Sequence, residues 1–292
     1  MIKATLRPRR SVLYMPGSNA RAQEKAKTLP ADALILDLED ATAPDAKVAA
    51  RKQVCKSVRE GRGGRKELII RVNGLDTPWG NDDLAAACQV GPDAILIPKV
   101  ESAHQVYEVE HTMERLGAPD TTAIWCMMET PLGILNAKKI ANSSKRLACI
   151  VMGTSDLTKD LHALHTPMRL PMLSSLSFCL LAARAYGLAI LDGVYLDLKD
   201  EAGFRAACRQ GLELGFDGKT LIHPTQVEPC NEIFAPSAAE VEHARRVIAA
   251  FAEAEEAGKA VVVVDGKLVE NLHVENAKRM VAMADAIAEM GA

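Results

Sequence analysis

The stretch Ala123-Ile124-Trp125-Cys126-Met127-Met128, followed by Glu129-Thr130-Pro131, reads as a buried strand that stops on a carboxylate in a turn. An apolar run without alternation marks a strand covered on both faces. A second run has the same shape: Cys149-Ile150-Val151-Met152 leads into Gly153-Thr154-Ser155-Asp156. Working outward, eight β-rich runs appear, at 11–16, 33–38, 68–72, 94–98, 123–128, 149–152, 189–194 and 219–222. Helical patterns lie between them, at 20–28, 45–60, 81–90, 103–116, 132–141, 173–186 and 201–214. Strand and helix alternating in this way predict an α/β fold, a parallel (β/α)8 TIM barrel. An open doubly wound sheet is the alternative, but no Gly-x-Gly-x-x-Gly follows the first strand.

The predicted strands end on polar chemistry. Strand two ends Asp37-Leu38-Glu39-Asp40, strand three Arg71-Val72-Asn73-Gly74 and strand four Pro98-Lys99. Strands five and six end on Glu129 and Asp156, strand seven on Asp192-Gly193 and strand eight on His223-Pro224. In barrels the C-terminal strand ends build the active site. A catalytic barrel domain is therefore expected over 1–232 and an extension over 233–292. In the extension, Ser237 and Glu240 form a capping-box pattern that opens a helix. Asp265-Gly266 between 261–264 and 267–270 is a hairpin signal, and a last helix is predicted over 273–290. Four consecutive valines make a poor exposed edge, so the extension is expected to lid its own or a neighbouring subunit's barrel mouth. A homo-oligomer follows from that expectation.

Composition narrows the class. The 292 residues suffice for one large domain with an appendage, and 48% hydrophobic residues support a sizeable core. A net charge of −3 with both signs mixed implies no polyanion-binding face, so nucleic acid is not an expected partner. The cysteines, Cys55, Cys88, Cys126, Cys149, Cys179, Cys208 and Cys230, are scattered. Zinc sites and disulfide frameworks need closer pairing, so core thiols in a reducing compartment are expected. The short apolar run after the basic residues 1–10 does not make a signal peptide, and 173–185 is too short to span a bilayer. A cytoplasmic protein without a membrane partner is the expectation.

Each constellation has two readings. Glu129 and Asp156, on adjacent strands at one face, could hold Mg2+ with substrate oxygens and water, or cap the helices that follow. Glu39 and Asp40 could hold metal-bound waters or orient a base, with helix capping as the plain reading of Asp40. Arg71 is shaped to grip a carboxylate with two parallel hydrogen bonds, or to pair with Asp37 or Glu39. Arg7, Arg9, Arg10, Arg21 and Lys25 could hold a phosphorylated ligand or form a solvated basic face. The run from Gly215 to Thr220 fails as a P-loop because Glu213 stands where glycine is required. No Gly-x-Ser-x-Gly elbow is present.

Together, the segments at 10–18, 37–41, 71–74, 97–99, 128–130 and 219–224 resemble the HpcH/HpaI aldolase and citrate lyase β-subunit superfamily, in its CoA-thioester branch. The resemblance spans nearly the whole chain. It implies a TIM barrel with Mg2+, or Mn2+ as its substitute, on Glu129 and Asp156. It implies that Arg71 binds the carboxylate of the oxo-acid half, and that CoA, as part of the substrate, lies along Tyr14, Asn19 and Lys25. It also implies trimers or hexamers in which the C-terminal segment reaches over a neighbour's site.

The implied activity is Mg2+-dependent carbon–carbon cleavage of short 3-hydroxyacyl-CoA thioesters, malyl-, citramalyl- or citryl-CoA, to acyl-CoA and a 2-oxo acid. Two departures bring a second reading close. Lyase members carry Asp where this chain has Glu270, in Lys267-Leu268-Val269-Glu270, and thioesterase members carry Glu. The long insertion that malyl-CoA lyases have after strand six is absent. Hydrolysis of malyl-CoA to malate and CoA is therefore the alternative. A third expectation is a citrate lyase subunit that works only on an acyl carrier protein thioester.

Overall fold

Eight parallel strands pair in chain order and close on themselves. They are β1 (Ser11–Pro16), β2 (Ala33–Asp37), β3 (Glu67–Arg71), β4 (Ala94–Ile97), β5 (Ala123–Met128), β6 (Leu147–Met152), β7 (Ala189–Asp192) and β8 (Gly218–Leu221). The computed structural model describes residues 7–61 and 63–291. The strands read as unbroken apolar runs because alternate residues enter two different cores. Val12, Ile35, Ile69, Leu96, Trp125 and Val151 fill the barrel lumen. Leu13, Leu34, Ile70, Ile95, Cys126 and Ile150 pack outward under the helices. Register carries function with it: Asp37 on β2 lies directly opposite Arg71 on β3.

The helices follow the expected positions with local departures. The pattern predicted over 132–141 breaks into Pro131–Leu135 and Ala137–Ala141 at Asn136, whose Nδ2 donates to Glu101 O at 2.9 Å. A short helix, Thr154–Asp160, begins at once after β6. The cysteines named above are all buried and free, which agrees with core thiols. Among the described residues, no helix is long and apolar enough to cross a membrane.

Among the described residues, 9–234 form one compact unit, and 235–291 with 7–8 form a second. In the second, the helix Ala238–Glu256 opens with the capping box: Ser237 Oγ accepts from Glu240 N, and Glu240 Oε2 accepts from Ser237 N. The hairpin of β9 (Val262–Val264) and β10 (Lys267–Val269) turns at Asp265 (φ +49) and Gly266 (φ +77). Positive φ at both turn positions is what a tight two-residue hairpin requires. The helix Asn271–Gly291 completes the unit. Val264, Val269 and Val274 are buried with Val247 and Phe251, whereas Val263 and Leu268, on the other hairpin face, are 65% and 55% exposed.

Candidate active site at the mouth of the barrel

Arg71 ends β3 and is buried, so its charge needs partners. Its Nε and Nη2 donate to Asp37 Oδ1 and Oδ2 at 2.7 and 2.6 Å. Its Nη1 stands 2.7 Å from Glu39 Oε2 and 3.6 Å from Asp40 Oδ2. The expected pairing with Asp37 or Glu39 is thus found: Asp37 holds the edge bearing Nε and Nη2, and Nη1 is turned toward Glu39. The register between β2 and β3 causes this. The Tyr14 ring lies 4.9 Å under the guanidinium, and its hydroxyl is 3.7 Å from Met127 Sδ. Tyr14 therefore belongs to the Arg71 cluster, because alternate β1 residues face the lumen. Asn19 instead caps the helix Ala20–Ala26 through Ala22 N, and Lys25 is exposed on that helix.

Glu129 follows β5 and is 1% exposed. It is not a helix cap: Thr130 fills that place, accepting from Gly133 N. Glu129 Oε1 accepts from Lys99 N at 2.8 Å. Burial first, then repulsion from Glu39, raises its pKa to about 7. Glu39 is pushed upward as well, by burial first, although Arg71 opposes it. Asp156 sits half-buried in the first turn of Thr154–Asp160, and its carboxylate makes no hydrogen bond or ion pair among the described residues. Asp40 is 61% exposed and caps nothing, since the next helical turn starts at Pro44.

This donor set fits a hard divalent cation. A buried carboxylate with one N–H and acidic neighbours is costly unless a positive charge joins it. Among the described residues, buried Glu39 Oε2 accepts no hydrogen bond, although Arg71 Nη1 lies 2.7 Å from it. Among the described residues no three acids or other ligand side chains converge tightly enough to enclose a metal alone. Mg2+ asks only for one or two carboxylates, with water and substrate oxygens completing its shell. A Cβ at Gly153 would lie 2.4 Å from Glu129 Oε2, so glycine keeps that carboxylate in place.

A pocket of about 810 Å³ opens beside Glu39 and Asp40, with Asn73, Trp79, Lys99 and Thr130 also in its wall. Lys47 supports the wall from below, donating to Leu38 O, Glu39 O and Asn73 Oδ1 at 2.7 to 2.9 Å. Neither Lys47 nor the role of Lys99 was expected from sequence. Lys99 has φ +49, and its Nζ lies 3.4 Å from Glu39 Oε1. Its place directly after an apolar strand was the only available signal.

Other residues expected at the site have partners or places of their own. Arg9 and Arg10 precede β1, at the opposite end of the barrel. There Arg9 pairs with Glu67 and stacks 5.1 Å from the Trp125 ring, and Arg10 pairs with Asp32. They are not free for a phosphate. Asp192 ends β7 but faces outward, bound by Lys219 and Arg169. Glu270 lies in the second unit. Its N–H donates to His273 Nδ1, and its side chain is exposed.

Comparison with known proteins places this geometry. A (3S)-malyl-CoA thioesterase of Cereibacter sphaeroides is 54% identical over 285 residues, covering 98% of each chain. The citrate lyase subunit beta of Escherichia coli is 37% identical and also covers 98% of each. The crystal structure of CitE from Mycobacterium tuberculosis, in complex with magnesium, acetoacetate and coenzyme A, matches with a TM-score of 0.76 at 28% identity. It covers 97% of this chain and 99% of that one. The family model for HpcH/HpaI aldolase/citrate lyase matches residues 10–224, the length of the barrel with its mouth. On this barrel, these acids and these relatives, the chain belongs to the HpcH/HpaI aldolase/citrate lyase family of enzymes.

Proposed function

We propose that this enzyme is a Mg2+-dependent hydrolase of malyl-CoA or a close 3-hydroxy-dicarboxyl CoA thioester, yielding malate and CoA. The observation that carries the reading is 54% identity to a (3S)-malyl-CoA thioesterase over nearly the full length of both chains. Glu270 supports it, since the resemblance puts Glu there in thioesterases and Asp in lyases.

The roles follow from the mouth. Glu129 and Asp156 hold the cation, which when bound supplies positive charge for the carboxylate and hydroxyl oxygens of the acyl chain. Arg71, fixed by Asp37, offers its Nη1 to a substrate carboxylate in place of Glu39. Glu39, released from Arg71, orients water at the mouth. Asn19 and Lys25 bind the CoA tail on the outer side of β1, and Tyr14 packs beneath the acyl group. Glu270, from an extension reaching over a neighbouring subunit's mouth, takes a proton from water. The water oxygen bonds to the thioester carbonyl carbon, the carbon–sulfur bond breaks, and the CoA thiolate takes up the proton. A cytoplasmic homotrimer or hexamer completes the proposal.

Carbon–carbon cleavage of the same substrate, to acetyl-CoA and glyoxylate, is the second reading. The 37% likeness to citrate lyase subunit beta favours it, and that name, a subunit's, keeps the third reading beside it, an enzyme that works only with other components on an acyl carrier protein thioester. A thiol-release assay tests the first reading. Purified enzyme with malyl-CoA and Mg2+ should release free CoA, and chelation by EDTA should stop the release. Release of thiol that continues in EDTA would remove the metal from the account.

A further inference from the structure

Lys99 combines two features that the reaction above leaves unused. First, its φ of +49 is a left-handed conformation that L residues adopt at a cost and that gathers at functional sites. The turn is fixed by its neighbours: Val100 N donates to Met127 O at 3.2 Å, and Val100 O would lie 2.4 Å from a Cβ on Gly133. Its effect is to aim the Lys99 N–H at Glu129 Oε1.

Second, the same turn sends the side chain across the mouth. Nζ reaches 3.4 Å from Glu39 Oε1, a loose ion pair, with the side chain 52% exposed on the pocket wall. The other cations of the site cannot move so freely. Arg71 is bound on two nitrogens by Asp37, and buried Lys47 donates to three oxygens. Lys99 has a four-carbon stem and rotatable donors, which suit a charge that changes partners.

Glu39, Asp40, Glu129 and Asp156 all act on this ammonium. A divalent cation bound to Glu129 and Asp156 would repel it. We propose that Lys99 is an internal counter-ion that the metal displaces: its ammonium balances the mouth carboxylates before loading, yields to the divalent cation, and then meets the terminal carboxylate of the acyl substrate. Throughout, its main-chain N–H keeps Glu129 oriented. The substrate half of this inference rests on the function proposed above; the metal half does not.

The signs are opposite for metal and substrate, which a merely structural side chain would not produce. Lys99→Met keeps the stem and removes the charge; Lys99→Arg keeps the charge; Lys99→Gln is a second neutral variant should the first fail to fold. Mn2+ titration of the substrate-free, full-length protein by electron paramagnetic resonance gives the metal affinity. Thermal melting checks folding.

The neutral variants should bind Mn2+ about three- to tenfold more tightly than the parent. Their KM for malyl-CoA should rise by about tenfold or more, with a smaller change in kcat. Lys99→Arg should stay within about threefold of the parent on both measures. Unchanged or weaker Mn2+ binding in a folded neutral variant would overturn the inference, as would a parent that binds no Mn2+. A parent that binds Mn2+ but leaves malyl-CoA intact overturns the proposed function alone, and the Mn2+ comparison still decides the counter-ion role.

Discussion

Glu129 is buried beside Lys99, Glu39 and Gly153, and its environment rather than its identity makes it a metal ligand candidate. Glu129→Gln keeps an oxygen for the Lys99 N–H and loses only the charge. Turnover should fall by at least about 100-fold, with the melting temperature held or raised. Undiminished activity would remove the metal hypothesis. Gly153→Ala tests position instead of charge. Its Cβ would force Glu129 aside, and an error near 1 Å costs about 100-fold in turnover. Mn2+ affinity measured on the same variant should drop with it. At this scale the acids at strand ends were legible in the sequence, because an apolar run that stops on a carboxylate is a local signal. The pairing of Arg71 with Asp37 was legible as one of the two readings of Arg71; which edge of the guanidinium it takes was not, since that depends on the register of two strands. The left-handed turn at Lys99 also left no mark in the residue types.

Between elements, Asp192, Lys219 and Arg169 bind β7 and β8 to the outer layer. Lys219 Nζ is 2.8 Å from Asp192 Oδ2, Arg169 Nη1 is 2.7 Å from Oδ1, and a Cβ at Gly211 would lie 3.1 Å from Oδ2. Burial alone would raise the Asp192 pKa; Lys219 and then Arg169 outweigh it and lower it. A depressed carboxylate stabilises the fold above its unfolded pKa, about 3.9, and that stabilisation is lost as pH falls through the lower folded value. Lys219→Met should cost about 3 kcal/mol in urea unfolding near neutral pH. It should also flatten the loss of stability below about pH 4. A steeper acid limb in the variant would contradict this assignment. Asp192 was legible as a strand end but not as an outward residue. Strand alternation decides that, and a run buried on both faces conceals its phase. The Asp265-Gly266 hairpin was legible because its turn chemistry is local.

At the scale of the molecule, eight repeats of strand and helix made the barrel readable, since each unit announces itself without its partners. The assembly was not readable in that way, because it depends on a surface supplied by another chain. Val263 and Leu268 leave one face of the hairpin apolar and exposed in the single chain. We propose that this face, with Glu270, meets a neighbouring copy. Glu270→Ala should lower turnover by about 100-fold or more without changing Mn2+ affinity. Mixed with Glu129→Gln, after dissociation and reassembly, it should recover activity, because mixed oligomers contain sites with an intact barrel and an intact hairpin. No recovery would place Glu270 over its own barrel or outside the chemistry.

The most direct test of the proposed hydrolysis is mass spectrometry of the products formed from malyl-CoA and Mg2+ in water enriched in oxygen-18. Hydrolysis predicts free CoA and malate carrying one heavy oxygen in a carboxylate, with no glyoxylate. Acetyl-CoA and glyoxylate as the products would contradict it and make the enzyme a carbon–carbon lyase.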